Sequence, residues 1–307
     1  MTLQQLRALC QVADCGLNIS RAATILHTTQ PAISRMIRSL EQEIGAELLI
    51  RAGTRISGLT AHGAEILDRA RKILTDVADL KLLAQDQREP DIGVMKIGTT
   101  HTQACYGLVE VVKKFKSLYP KVDLHIYQAT QADIIQAVSR GEVDFGVSAT
   151  PSKLPTNIML LDAYLVERCI VAPINHPILK FRKPTLEDFS KYPIVAYDER
   201  AQTGVLVRNL FENSKIKPRI AVHAVDSNVV LAYVAAGIGI AVLQKQIFEQ
   251  EKHRPIKAID ASHLFPPAMT KISLRRDAYL RNYMYQFITM VSPKLTREHI
   301  FKQRQKL

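Results

Sequence analysis

Apolar residues recur at helical spacing through the first ninety or so positions, and the texture then changes. Leu3, Leu6, Cys10 and Ala13 step by three and four, which predicts a first helix. Ala22, Ala23, Ile25 and Leu26 form a compact apolar face in a short second helix, for which Ser20 is the expected N-cap. Ile33, Ile37 and Leu40 share one side of a third helix, with Thr28 or Thr29 as its cap. Pro31 fits its first turn, where no backbone donor is lost. Leu48-Leu49-Ile50 and Ile56-Ser57-Gly58-Leu59 are short β-like runs around Ala52-Gly53-Thr54-Arg55, the layout of a wing. A long helix is expected from its cap Thr60 to about Arg88. Its apolar positions Ile66, Ala70, Ile73, Val77, Leu80 and Ala84 alternate steps of four and three, the seam of a coiled coil. The helix is read as a dimer element, against the alternative that it docks on its own domain. Pro90 and Gly93 then break the pattern.

From Val94 onward strand-like runs alternate with helical ones. Val94–Thr99, Val122–Tyr127 and Asp144–Ser148 read as strands. A helix from about Gln103 to Leu118 and another from Ala132 to Arg140 separate them. The pattern resumes with strands at Tyr192–Tyr197, Arg219–His223 and Ile238–Leu243 and a helix at Asn228–Ala236. Ala163–Pro173 is a long apolar run with Glu167 and Arg168 inside it. Such alternation predicts a parallel α/β sheet, and some 210 residues suit two lobes better than one. The fold class is therefore α/β overall, with a mostly α winged helix-turn-helix at 1–59, a linker or dimerisation helix at 60–88 and a two-lobed α/β domain at 93–307. Lobe I is expected at about 93–163 and 268–292, and lobe II at about 164–267.

Two sets of side chains carry candidate chemistry. The first surrounds the third helix: Ser20, Arg21, Thr28, Thr29, Gln30, Pro31, Ser34, Arg35 and Arg38, with Arg51 and Arg55 near the wing. Glutamine pairs with adenine edges, arginine with guanine edges or phosphates, and serine with either. A plain helical hairpin is the competing reading. The placement of Pro31, the polar set and the wing favour DNA. The second set lies at strand ends: Thr99-Thr100-His101-Thr102-Gln103, Ser148-Ala149-Thr150, and Gln202-Thr203-Gly204. Helix N-termini attract anions, and hydroxyls and amides add neutral donors there. Taken singly each is a plausible cap; as a set they read as one ligand site for a small anion. His101 is read as shaping that crevice rather than as an acid-base group.

Charge sharpens this division. The net charge of +12 lies entirely in the second part: residues 1–92 hold 11 basic and 11 acidic side chains, residues 93–307 hold 30 and 18. A basic effector domain concentrates anionic ligands. The tail past Pro293, with Lys294, Arg297, Lys302, Arg304 and Lys306, reads as a solvated end. Cys10, Cys15, Cys105 and Cys169 have no metal or redox spacing, and reduced thiols are expected. No Walker loop, dinucleotide turn, His-Glu-x-x-His or nucleophile elbow is present, so no catalytic residue and no metal site are assigned. No secretory leader or membrane span is read, and a cytoplasmic location is expected. A solute-binding protein with an unusual appendage is the competing class, and the DNA-reading segment disfavours it.

Together these residues resemble the LysR-type transcriptional regulators over essentially the whole chain. Leu3-Gln4-Gln5-Leu6-Arg7 and Thr29-Gln30-Pro31-Ala32-Ile33-Ser34-Arg35 match the family's DNA-binding head. Thr99-Thr100-His101-Thr102-Gln103-Ala104, Tyr119-Pro120, Gly141-Glu142-Val143-Asp144-Phe145, Thr270-Lys271-Ile272 and Tyr279-Leu280-Arg281-Asn282-Tyr283-Met284 are most similar to its sulfur-assimilation branch, the CysB/Cbl branch. The resemblance implies an effector domain like a periplasmic binding protein and a homotetramer, a dimer of dimers, acting on promoter DNA and RNA polymerase. It implies no cofactor beyond an effector such as sulfate, thiosulfate, O- or N-acetylserine or adenosine phosphosulfate. A regulator of another pathway with a different small acid is the alternative. Ligand residues carry over to Thr100, Thr102, Gln103 and Thr203. Ala149 stands where the branch has threonine, Val166 where it has a large aromatic, and Asp198-Glu199-Arg200-Ala201 also departs, with Ser148 or Thr150 as substitute donors.

Overall fold

The computed structural model describes residues 1–53, 55–151, 153–199 and 201–305, with Ala52 and Arg55 described by backbone alone. Thr54 of the wing, Arg200, Lys306 and the Arg55 side chain lie outside the described residues. The chain divides into two compact units, Met1–Arg88 and Glu89–Leu307.

The first unit begins with α1 (Leu3–Asp14), where Thr2 and Gln5 form a reciprocal capping box. α2 (Ile19–Ile25) is capped by Asn18, whose Oδ1 accepts from the Arg21 amide at 2.9 Å. Ser20 therefore lies inside the helix rather than at its cap. The helix starts two residues earlier than a Ser20 cap implies, because an asparagine is available to take the first free amide. Thr29 caps α3 (Gln30–Ile44) through the Ala32 amide. β1 (Leu49–Ala52) and β2 (Arg55–Leu59) pair antiparallel as the wing. α4 (Ala61–Arg88) starts on Thr60, whose hydroxyl accepts from the Gly63 amide at 2.8 Å and donates to the Glu47 carbonyl at 2.7 Å. Gly63 has to be glycine: a Cβ there would stand 1.9 Å from the Leu48 carbonyl oxygen. Leu9, Ile33, Ile37, Leu40, Leu48 and Leu67 fill the core. Only the first half of the α4 seam packs inward. Leu67 and Ala70 are buried, whereas Ile73, Leu80 and Leu83 are exposed, Leu80 at 65%.

The second unit holds a five-stranded mixed sheet, a three-stranded antiparallel sheet and a two-stranded parallel one. The first has strand order β4-β3-β5-β12-β6: β3 (Gly93–Thr99), β4 (Val122–Gln128) and β5 (Phe145–Ala149) run parallel, while β12 (Ala268–Arg275) is antiparallel to both β5 and β6 (Ile158–Val166). The second centres on β7 (Arg168–Pro173), antiparallel to β10 (Ala241–Gln244) and β11 (Ile256–Asp260). Beside it β8 (Ile194–Tyr197) pairs in parallel with β9 (Ile220–Ala224). The expectation of purely parallel sheets is corrected here, because the chain leaves the first lobe on β6 and returns on β12. The apolar run 163–173 is two strands, joined at Glu167, and β6 keeps residues to Val166 in the first lobe. The helix expected at 103–118 is a π-helical turn, Gln103–Gly107, followed by α5 (Val109–Leu118).

α6 (Gln131–Arg140) and α11 (Asn282–Val291) cover the first sheet, where Phe115 and Phe287 meet edge to face at 5.2 Å. α8 (Gln202–Ser214) and α9 (Ser227–Ala235) pack on the second. Arg281, fully buried, ties the start of the unit down by donating to the Ile92 and Glu89 carbonyls at 2.8 and 2.7 Å. All four cysteines are free thiols, Cys10 and Cys169 buried. Among the described residues no helix is long and apolar enough to cross a membrane.

One buried acid holds α3 to the wing. Glu41 accepts from the Leu48 and Leu49 amides at 2.9 and 3.2 Å and from both terminal nitrogens of Arg51, at 3.2 and 2.6 Å. Burial pushes its carboxyl pKa up, but the Arg51 hydrogen bonds and the two amides outweigh that, and it falls below the ordinary 4.5. A depressed carboxyl contributes stability above its unfolded pKa. That contribution is lost as pH drops below 4.5 and through the folded value. Glu41→Leu is expected to destabilise the first unit by about 2–3 kcal/mol at neutral pH. The variant should also unfold with a shallower acid dependence, and hydrogen-exchange protection of the Leu48 and Leu49 amides across pH checks both.

Candidate functional site

Each unit carries one constellation. In the first, Ile33, Ile37 and Leu40 are buried, which turns the rest of α3 outward. Gln30, Pro31, Arg35 and Arg38 are exposed, as are Ser20, Arg21 and Thr29. Thr28 and Ser34 are half-buried. A groove of about 280 Å³ between α3 and the wing gathers Gln30, Ser34, Arg38 and Arg51. Arg35 lies outside that groove. Arg51 is less free than the sequence suggests, because Glu41 holds its guanidinium end-on. The exposed amide and guanidinium groups on one helix face match what base edges and phosphates require.

In the second unit, a cavity of about 300 Å³ lies between the lobes. Its walls come from the ends of strands. Thr100, His101, Thr102 and Gln103 follow β3, Gln128, Ala129, Thr130 and Gln131 follow β4, and Ala149 ends β5. From the other lobe come Tyr197 at the end of β8 and Ala201, Gln202 and Thr203 at the start of α8. Three helix starts thus face one space. The start of α8 has no side-chain cap, since Ala201 occupies the N-cap position, so its first amides are left for another partner. Gly204 allows α8 to begin there: a Cβ would stand 2.3 Å from the Asp198 carbonyl oxygen.

The carry-over set is brought together: Thr100, Thr102, Gln103 and Thr203 all line the cavity, and so does the departing Ala149. Ser148 and Thr150 do not. Neighbours on a strand point to opposite faces, so Ser148 is buried on the far side of β5, its hydroxyl on the Ala149 carbonyl, and Thr150 is exposed. They supply no replacement donor at Ala149. Gln103 is partly committed already. Its Nε2 donates to Thr270 Oγ1 at 3.3 Å, and its Oε1 accepts from the Tyr164 hydroxyl at 2.5 Å. His101 lines the wall and reaches across to Asn228 Nδ2 at 3.3 Å and to Cys105 Sγ at 3.7 Å.

Several lining residues were not singled out from sequence. Arg168 is 3% exposed and stands at the floor, its Nη1 donating to the Pro266 carbonyl at 2.6 Å. Its charge inside an apolar run was the available signal. Burial alone, with no acidic neighbour offsetting it among the described residues, pulls its pKa down. Gln131, at the first position of α6, has a buried Nε2 without a partner among the described residues. Behind the lining, Tyr164, pushed up to about 12 by burial, stays a neutral donor to Gln103. Among the described lining residues there is no aspartate or glutamate, and the permanent charge is the Arg168 cation. The lining is hydroxyls, amides, helix N-termini and one guanidinium, all groups that donate to anions, and among the described residues it pairs no nucleophile with a base.

The comparisons agree with this division of labour. Residues 3–64 match the model of the bacterial regulatory helix-turn-helix protein, lysR family, and residues 88–296 match the LysR substrate binding domain. The HTH-type transcriptional regulator CysB of Haemophilus influenzae is 35% identical over 98% of this chain and 93% of its own length. The HTH-type transcriptional regulator SsuR of Burkholderia cenocepacia is 32% identical over 98% of this chain and 97% of its own. The crystal structure of the cofactor-binding domain of the Cbl transcriptional regulator superposes with a TM-score of 0.65 at 29% identity, covering 70% of this chain and 95% of that one. These relatives are regulators and not enzymes. A helix-turn-helix head and an effector domain matched along most of their length leave one assignment: the chain belongs to the LysR family of bacterial transcriptional regulators.

Proposed function

We propose that this regulator controls genes of sulfur assimilation or sulfonate use, and that a small anion held in the cleft of residues 89–307 sets its activity. The observation that carries the proposal is the acid-free cleft, lined by Thr100, Thr102, Thr203 and the uncapped start of α8. Likeness over nearly the whole chain to CysB and SsuR, and over the effector domain to Cbl, supports the sulfur pathway. Sulfate, thiosulfate, an acetylserine and adenosine phosphosulfate are the candidate effectors, and the cavity of about 300 Å³ accommodates metabolite-sized ligands.

The head acts on promoter DNA through α3, with bases read by Gln30, Ser34 and Arg35 and phosphates met by Arg21 and Arg38. The uncovered stripe Ile73, Leu80 and Leu83 on α4 pairs with a second copy, and pairs of dimers form a tetramer at a dyad site, contacting RNA polymerase in the cytoplasm. For the anion to switch this assembly it must bind one arrangement of the two lobes better than the other.

Three outcomes test the scheme. Arg35→Ala should weaken operator binding by about 1–3 kcal/mol while affecting random DNA less. An equal loss on both, in a gel-shift titration at fixed salt, would mark a phosphate contact instead. The double variant Thr100→Val, Thr102→Val should bind operator normally yet fail to respond in a promoter reporter to any of the candidate anions. A response like that of the wild type refutes the cleft. Leu80→Glu should shift the protein towards monomer in analytical ultracentrifugation, since it places charge in an apolar seam.

A further inference from the structure

We infer that Arg168 is the charge anchor of the effector, its Nε–H donating to the anionic head while Nη1 stays on the Pro266 carbonyl. The inference rests on the reading of the cleft as an anion site. Arg168 is the first residue of β7, immediately after the chain crosses between lobes, and it lines the cavity while only 3% exposed. Its Nη1 hydrogen bond to Pro266, 2.6 Å long, fixes the guanidinium plane. That acceptor is neutral and leaves the charge unopposed. Nε is buried and has no protein partner among the described residues. A buried cation without a counter-charge is costly, and the cost is removed when an anion takes the free donor.

A second orphan strengthens the assignment. Gln131 Nε2, also buried and unpartnered, lines the same cavity from the other lobe, at the start of α6. Both residues line the same cavity, and a sulfo, sulfate or carboxylate group carries the two or more acceptor oxygens that two donors call for. The planar guanidinium suits such a head better than an ammonium, because one face of its fork can stay on the protein while another nitrogen meets the ligand. The head therefore belongs at the floor of the cleft near the crossover. Any organic remainder of the metabolite points towards Thr100, Thr102 and Thr203.

The test is calorimetric titration of the full-length protein with sulfate, thiosulfate and adenosine phosphosulfate, alongside its melting temperature without anion. Arg168→Gln is expected to melt close to the wild type yet bind roughly tenfold more weakly or worse, the size of a lost charge-assisted hydrogen bond. Arg168→Lys, which keeps the charge without the fork, should fall between the two. If the wild type binds and Arg168→Gln binds within about twofold of it, the inference fails while the cleft reading stands. If Arg168→Gln does not fold, Arg168→Lys decides: affinity equal to the wild type overturns the anchoring role, and weaker binding supports it. If the wild type binds none of the three anions and Thr100→Val changes nothing, the reading of the cleft fails and takes the inference with it.

Discussion

The effector domain passes between its lobes twice, and the two passages lie side by side. Val166 at the end of β6 pairs with Ala268 at the start of β12, and Arg168 grips Pro266 just beyond. Two adjacent strands that carry the chain across a gap leave the lobes one easy motion, a rotation about that pair. They also form the floor of the cleft, since Val166, Arg168, Ala268 and Met269 all line it. The pocket floor and the crossover between the lobes are therefore built from the same residues, so any rotation of the lobes about that pair would act on the floor.

The opposite wall is tied to both lobes by a single turn. Gln103 belongs to the first lobe through Tyr164 and Thr270. Tyr106, three residues on, is buried in the core of the second, with its hydroxyl on Asn228 Oδ1 at 2.7 Å and on Glu251 Oε1 at 3.2 Å. In an α-helix residues three apart share a face. The wider π-helical turn spreads them, so one side chain can serve each lobe. Thr100 and Thr102 sit directly before this turn. A ligand placed as proposed, with its remainder towards their hydroxyls, would touch a segment already fixed in both walls. This gives a physical reason for a local departure from regular helix at the ligand end of the chain.

The head was legible in sequence because its determinants are local. Caps, Pro31 and the 33–37–40 spacing act within one or two turns, and the slip of Ser20 for Asn18 is a choice between two capping side chains two residues apart. The strand ends were legible too, for threonine clusters at β-to-α junctions announce themselves. What stayed hidden depends on pairing between distant segments. The antiparallel return through β12 follows from the chain coming back after some hundred residues, which no window of sequence records. Ser148 and Thr150 looked like donors beside Ala149, yet the two-residue period of the strand carries both away from the cavity. Arg168 was visible as a charge in an apolar run. Its meaning needed the fold, which places it in the wall of a cleft that Gln131 lines from the other lobe.

Two arginines of this chain show how the same side chain is given opposite tasks. Arg51 meets a buried carboxylate that also holds two backbone amides, so its charge is spent on fixing the wing to α3. Its contribution is to shape, and it is complete without a ligand. Arg168 is buried more deeply, and among the described residues it meets a neutral carbonyl through Nη1 while its buried Nε has no partner. A protein interior tolerates such a group when a partner of opposite charge can complete it. Stability alone would favour an acid beside Arg168. Among the described residues lining that cavity there is no acidic side chain, so on the proposed reading an anion from outside would meet the Arg168 charge beside the strands that join the lobes.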